Sequence, residues 1–231
     1  MGREDLFPQV LLRWGPLALT DTLLVSIGLS LVLVIVAAIL GRSRRLRPAM
    51  LVIYGALERS ISAMVQVDAR PLTPLILTQW LFIMVGNLAG LVPRLGSPTR
   101  DLSITTALAL IAFFSGHYFA FRARGIGYLK TYATPHILLL PFNVLGELSR
   151  TVALSLRLFG NMLSSQLIGA ILLYLAGLLV PLPLMLLSVL TAVVQGYIFG
   201  VLTLVFAASS MQVTPPADHT EPNDAQPKHA M

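Results

Sequence analysis

VALSLRLFGNMLSSQ, Val152 to Gln166, places a single arginine, Arg157, among apolar residues. A guanidinium carries a permanent charge. At the centre of a bilayer it costs at least about 2.5 kcal/mol even on the most lenient scales. Either the stretch lies outside lipid, or the charge has a task there. The composition settles which. The 231 residues are 56% hydrophobic and only 11% charged, with a mean hydropathy of +0.81. A soluble domain carries about 25% charged residues. The missing charge is missing water-facing surface, so the chain reads as an all-α integral membrane protein.

Working outward from Arg157, the region Pro135 to Val180 has no proline after Pro141 until Pro181. A helix of about 40 residues would run roughly 60 Å, twice the roughly 30 Å hydrocarbon core. It must tilt steeply or break, with Gly160 as a candidate break. The turn VPLP, Val180 to Pro183, ends it, and a second apolar segment over 184–210 returns. Together 135–180 and 184–210 predict a long, tilted hairpin. Upstream, spans are expected over 17–40, 72–93 and 102–121, which makes about five membrane-embedded helices. Residues 48–70 carry Glu58, Arg59, Gln66, Asp68 and Arg70 among apolar positions, as an amphipathic helix on the cytoplasmic interface would, and Pro48 suits its start. Residues 1–16 read as an extracytoplasmic N-terminus and 212–231, rich in proline and polar residues, as a disordered cytoplasmic tail.

Charge sets the orientation. The net charge of +6 would point to nucleic acid in a soluble protein. Here the cations sit in short loops: Arg42, Arg44, Arg45 and Arg47 after the first span, and Arg122, Arg124 and Lys130 after the third. The positive-inside rule puts both loops, and the C-terminus, in the cytoplasm, and the N-terminus outside. Arg94 and Arg100 fall on the outer side, partly offset by Asp101. There are no cysteines, which excludes disulfides, thiolate metal sites and cysteine nucleophiles. The N-terminus has early acids and no basic leader, so no secretory signal is expected.

At 100° per residue, Asn143, Glu147, Arg150, Leu154, Arg157, Asn161 and Ser164 form one narrow stripe, polar but for Leu154, on an otherwise apolar helix. Gln166 points nearly opposite to Arg157. On the returning segment Ser188, Thr191 and Gln195 share a face. Ser155, Ser164 and Thr191 can serve simply to bond across helix interfaces. Arg150 can reach the cytoplasmic headgroups or pair with Glu147. Arg157 has no acid three or four residues away, and an internal arginine of this kind marks a functional site. Its natural partner is an acid on another chain.

These residues also carry a resemblance. SLRLFGNM, Ser155 to Met162, resembles the signature of subunit a of F-type ATP synthases. PFNVLGELSRTVALSLRLFGN, VQGYIFGVLT and NLAGLVPRLGSPTRDLSITTALAL are similar to that family in the same order, the last ending in its P-T-x-D-L-x-x-T-x-A-L pattern. The likeness runs from Leu17 to Met211. It implies a stator beside a rotating ring of c subunits, each with a mid-membrane carboxyl, with peripheral-stalk b subunits, the rest of the synthase and membrane lipids as further partners. Nucleic acid, a cofactor, a bound metal and an ATP site of the chain's own are not implied. The family's essential arginine corresponds to Arg157, its last-helix glutamine to Gln195 and its motif asparagine to Asn161. A bacterial inner membrane is the expected home.

One departure bears on the ion. Nine residues after the arginine many members carry Glu or His, where this chain has Gln166, and the second titratable position on the last helix matches Ser188. Neither can titrate. Glu147, ten residues before Arg157, is spaced differently from the acid of many relatives. His117 and His136 are the membrane-region histidines. Proton coupling through water and Na+ coupling through neutral oxygens both stay open. A self-contained transporter is the competing class, but the sequence lacks paired inverted repeats with Gly/Pro-broken helices.

Overall fold

The computed structural model describes residues 10–14, 17–65, 67–68, 70–91, 96–125, 127–128, 138, 140–177 and 181–211. The tail 212–231, most of 129–139 with His136, Gln66, and residues 92–95 at the end of the second expected span lie outside them.

The chain begins with a two-stranded antiparallel pair, β1 (Val10–Trp14) and β2 (Leu17–Thr20). The first helix, α1 (Asp21–Arg42), therefore starts four residues later than expected, because Thr20 is extended and its hydroxyl accepts from the Leu23 amide as an N-cap. Asp21 in its first turn and Arg42 in its last complement the helix dipole. Its sides are apolar all round: Ile27, Leu31, Val34 and Ile39 are each more than half exposed in the isolated chain. Such a surface needs lipid or another subunit against it.

α2 (Arg47–Ala63) has a proline in its first turn, as expected at Pro48. It stops seven residues before the expected 70: the Met64 amide bonds the Ile61 carbonyl at 3.1 Å in a tightened last turn, and further on Asp68 accepts from the Arg70 amide at 3.2 Å. Arg70 then reaches back to Glu58 at 3.5 Å. α3 (Thr73–Ala89) is followed by a short 3₁₀ turn, Pro98–Arg100. α4 (Leu102–Arg124) is capped by the Asp101 carboxylate, which accepts from the Ser103 amide, and ends at Gly125 with φ +58°. A positive φ there is cheap only for glycine.

α5 (Leu140–Ala176) runs unbroken through Gly160 for 37 residues. At 1.5 Å per residue that is about 55 Å, so the long segment keeps its length instead of breaking. α6 (Pro181–Met211) begins three residues before the expected 184, with the turn prolines inside its first turn. Among the described residues α1, α4, α5 and α6 are long and apolar enough to cross a membrane, and α3 is a shorter apolar helix.

The bundle centre is where α3, α4, α5 and α6 meet. Ile83, Leu108, Ala109, Ala112, Leu154, Leu158 and Phe199 form one buried cluster. Ile61, Leu72, Ile76, Leu204 and Ala207 form a second, which docks α2. Close approach of α3 and α6 depends on Gly196: a Cβ there would stand 2.9 Å from Trp80 Cδ1 and 3.2 Å from Trp80 O. Small residues at such crossings let membrane helices pack where no hydrophobic drive separates protein from lipid.

Candidate functional site

Burial divides the expected stripe on α5. The face turned to the bundle runs along Thr151, Leu154, Ser155 and Leu158. Glu147 and Arg150 are half-buried at its edge, whereas Asn143, Arg157, Asn161 and Ser164 are exposed. The stripe is therefore not one surface. At 100° per residue Leu154 lies about 60° round from Arg157, toward the buried face of Thr151, Ser155 and Leu158, so Leu154 enters the core and Arg157 stays on the outside.

At the C-terminal end of α6, Arg150 Nη1 donates to Glu147 Oε1 at 3.3 Å. Its guanidinium lies 4.3 Å from the Phe206 ring centroid. Of the two sequence readings for Arg150, the pairing with Glu147 is the one formed, and the cation–π contact ties it to α6. These side chains line a cleft of about 20 Å³ with Phe113, Thr151, Thr203 and Ser210, room for about one water.

Four residues past Arg157, Asn161 Nδ2 donates to Gln195 Oε1 at 2.6 Å. Gln195 is 4% exposed and comes from α6, so this bond joins the two helices beside the arginine. Arg157 itself makes no ion pair or hydrogen bond among the described residues, and its face of α5 is open along Gly146, Ala153 and Ser164. On α6, Ser188 and Thr191 donate to the carbonyls of Leu184 and Leu187 within their own helix. Among the described residues Thr191 bonds only within its own helix. Ser155 does: it lies 3.0 Å from Thr106 Oγ1 and 3.4 Å from Thr105 Oγ1 on α4. Gln166 is half-buried in the last third of α5. His117 Nδ1 lies 2.9 Å from the Phe113 carbonyl of its own helix.

A second polar cluster stands where α1 and α4 begin. Arg100 donates to Asp21 at 2.8 Å and is 8% exposed. Asp101 accepts from Thr22 at 2.6 Å and from Thr20 at 3.3 Å, and Thr99 bonds Asn87. The sequence marks Arg100 as a loop charge against the positive-inside trend; the structure makes it half of a buried pair with an acid 79 residues away. Gln79, in α3, is 5% exposed. Its sequence signal is an amide within an apolar run, as is that of Asn87 on the same helix. No group of three or more His, Cys, Asp or Glu side chains that could hold a metal occurs among the described residues.

Fold and site together define a multi-pass helical membrane protein that carries a charge and an amide pair at the surface of a long helical hairpin. The family model for the ATP synthase A chain matches residues 17–208. ATP synthase subunit a 1 of Hahella chejuensis is 43% identical over 210 residues, covering 89% of this chain and 90% of its own length. ATP synthase subunit a 2 of Pelobacter propionicus is also 43% identical over 210 residues, at 88% and 92% coverage. ATP synthase subunit a of Legionella pneumophila is 39% identical over 219 residues, at 92% and 95% coverage. The chain belongs to the ATP synthase A chain family, as the R-L-F-G-N stretch at Arg157 to Asn161 leads one to expect.

Proposed function

We propose that this chain is the stator through which ions pass to and from a rotating c-ring, with Arg157 facing the ring carboxyls from the open side of α5. The observation that carries this is an arginine in mid-helix, turned out of its own bundle and unpaired among the described residues. A c-subunit carboxyl facing lipid keeps its proton or bound ion, because desolvation disfavours the charged form. Opposite Arg157 the ionised form is favoured: at about 4 Å and an effective dielectric near 20 the attraction is about 4 kcal/mol. The ion is released, and the empty, charged site passes the stator. The same positive charge repels cations, so they cannot leak straight between the entry and exit half-channels. Each ion must ride the ring, driven by about 2.3 kcal/mol per charge per 100 mV.

In this reading Gln195 and Asn161 shape the polar wall beside the arginine. Glu147, Arg150 and Asn143 lie on the cytoplasmic side of it, and Gln166, Ser188 and Thr191 toward the outer half-channel. The chain sits in a bacterial inner membrane with its N-terminus outside and its C-terminus in the cytoplasm, held to the ring by peripheral-stalk b subunits. The coupling ion is H+ carried through water. Na+ is the second reading, favoured by the non-titrating Gln166 and Ser188.

The test is Arg157→Ala in the assembled complex. Ion-driven ATP synthesis should be abolished while ATP hydrolysis by the water-soluble head persists in part; normal synthesis would refute the role. Hydrolysis with and without Na+ at fixed pH separates the ions, since stimulation by Na+ would eliminate the H+ reading. Transport by the purified chain alone would instead establish the self-contained transporter.

A further inference from the structure

Gln79 is a buried amide that the reading above leaves unused. It is 5% exposed, on α3 between the buried Ile76 and Ile83. Among the described residues no group bonds its Oε1 or Nε2, and the same holds for the buried Trp80 Nε1 beside it and for Gln195 Nε2. Inside a lipid-embedded bundle, an unbonded amide loses its water without compensation, so such groups find a partner.

The contact of α3 with α6 brings the residues that carry these atoms together. Gly196, the neighbour of Gln195, is packed so tightly on Trp80, the neighbour of Gln79, that a Cβ would lie 3.4 Å from Trp80 Nε1. Ile83, one turn past Gln79, and Phe199, one turn past Gln195, share a cluster with Leu108, Leu154 and Leu158. Both glutamines thus lie on the side of the α3–α6 contact that faces α4 and α5.

The donor count identifies the partner. Three nitrogens that carry five N–H hydrogens, on Gln79, Trp80 and Gln195, have no partner among the described residues, against one such oxygen, Gln79 Oε1. Rotating the Gln79 amide by 180° leaves this count unchanged. A hard cation needs several oxygen ligands, and one is too few. Water accepts from amide and indole N–H groups and returns a hydrogen to the single oxygen.

We propose that Gln79, Trp80 and Gln195 enclose a hydrated site inside the bundle that holds water and not a bound Na+, and that Gln79 positions the Gln195 amide through that water. This rests on the reading of Arg157 and Gln195 as part of the ion path. Gln79 touches no transported ion itself; it acts through Gln195.

Because the chain has no cysteine, a thiol can be placed at either of two buried sites without background from this subunit. The assembled complex would carry Gln79→Cys or, one turn away, Ile83→Cys, and inverted membrane vesicles would be treated with Ag+, with the unsubstituted complex as reference. Ag+ should block ATP-driven ion pumping at least about tenfold faster in the Gln79 variant than in the Ile83 variant. Equal rates would overturn the hydrated site. In parallel, Gln79→Leu should slow pumping by about tenfold, the loss expected for one buried polar contact, with the amount of assembled complex unchanged, and Gln79→Asn should restore most of it. Full pumping by Gln79→Leu, or a loss that Gln79→Asn does not rescue, would overturn the positioning role. Arg157→Ala run alongside separates the two levels: normal pumping there removes the ion-path reading itself, whereas a dead Arg157→Ala with Gln79 variants that match the unsubstituted complex removes only this inference.

Discussion

Replacing Asn161 with leucine removes the one direct side-chain bond to the Gln195 amide among the described residues. Hydrogen bonds between membrane helices average about 0.6 kcal/mol in double-mutant cycles. That figure understates this case, because Asn161→Leu leaves Gln195 Oε1 unbonded in a site only 4% exposed. The cost of orphaning a buried acceptor is about 1–3 kcal/mol. Taking about 1.4 kcal/mol, the correctly turned amide becomes about tenfold rarer, and ion-coupled ATP synthesis should fall by about that factor. Gln195→Leu should do at least as much. If the two amides act as a unit, the double variant loses no more than the worse single one, since substituting both partners leaves nothing orphaned. The assay is ATP synthesis driven by an imposed ion gradient in vesicles, normalised to assembled complex, for all four members of the cycle. Losses that simply multiply would show that the 2.6 Å bond between Asn161 and Gln195 carries no coupling, and the argument for a shared polar wall would fail with it.

Gly196→Val should destabilise the complex by about 1–3 kcal/mol through overpacking, since a Cβ already meets Trp80 at 2.9 Å; thermal unfolding in detergent would register it, and an unchanged midpoint would contradict the packing described. Gly160→Ala should leave that midpoint unchanged or slightly higher, because nothing lies within 4 Å of its Cβ position and alanine favours helix by about 1 kcal/mol. A loss of ion pumping in Gly160→Ala with intact stability would then place the clash on a neighbouring subunit. Asp101→Ala removes a helix cap and the acceptor for Thr20 and Thr22, and should lower stability by about 1–2 kcal/mol; an unaltered unfolding curve would refute the clasp.

Hydropathy and proline placement expose most of the helices in the sequence, because lipid imposes length and apolarity on each crossing separately. Their ends are harder to read. α1 begins at Asp21 and not Leu17 because Thr20 caps it, and α2 stops at Ala63 in a turn closed by the Met64 amide on the Ile61 carbonyl; both are local bonds within an apolar or mixed run. The pair Glu147–Arg150 is legible, being one turn apart. Asn161–Gln195 and Asp21–Arg100 are not: their partners lie 34 and 79 residues apart, and only the packing of different helices brings them together. The polar stripe reads as one surface on a helical wheel, yet α5 rolls against α4 and α6, and Leu154 and Arg157 end on different sides.

α5 and α6 are fastened to each other at two levels, by Arg150 on the Phe206 ring and by Asn161 on Gln195. Arg157 sits between the two fasteners, about 10 Å from one level and 6 Å from the other along the helix. A beam supported on both sides of its load bends far less than one held at a single end. Lateral drag on the Arg157 side chain is therefore shared between two supports, and neither twisting nor sliding of α5 can move the guanidinium without breaking at least one of them.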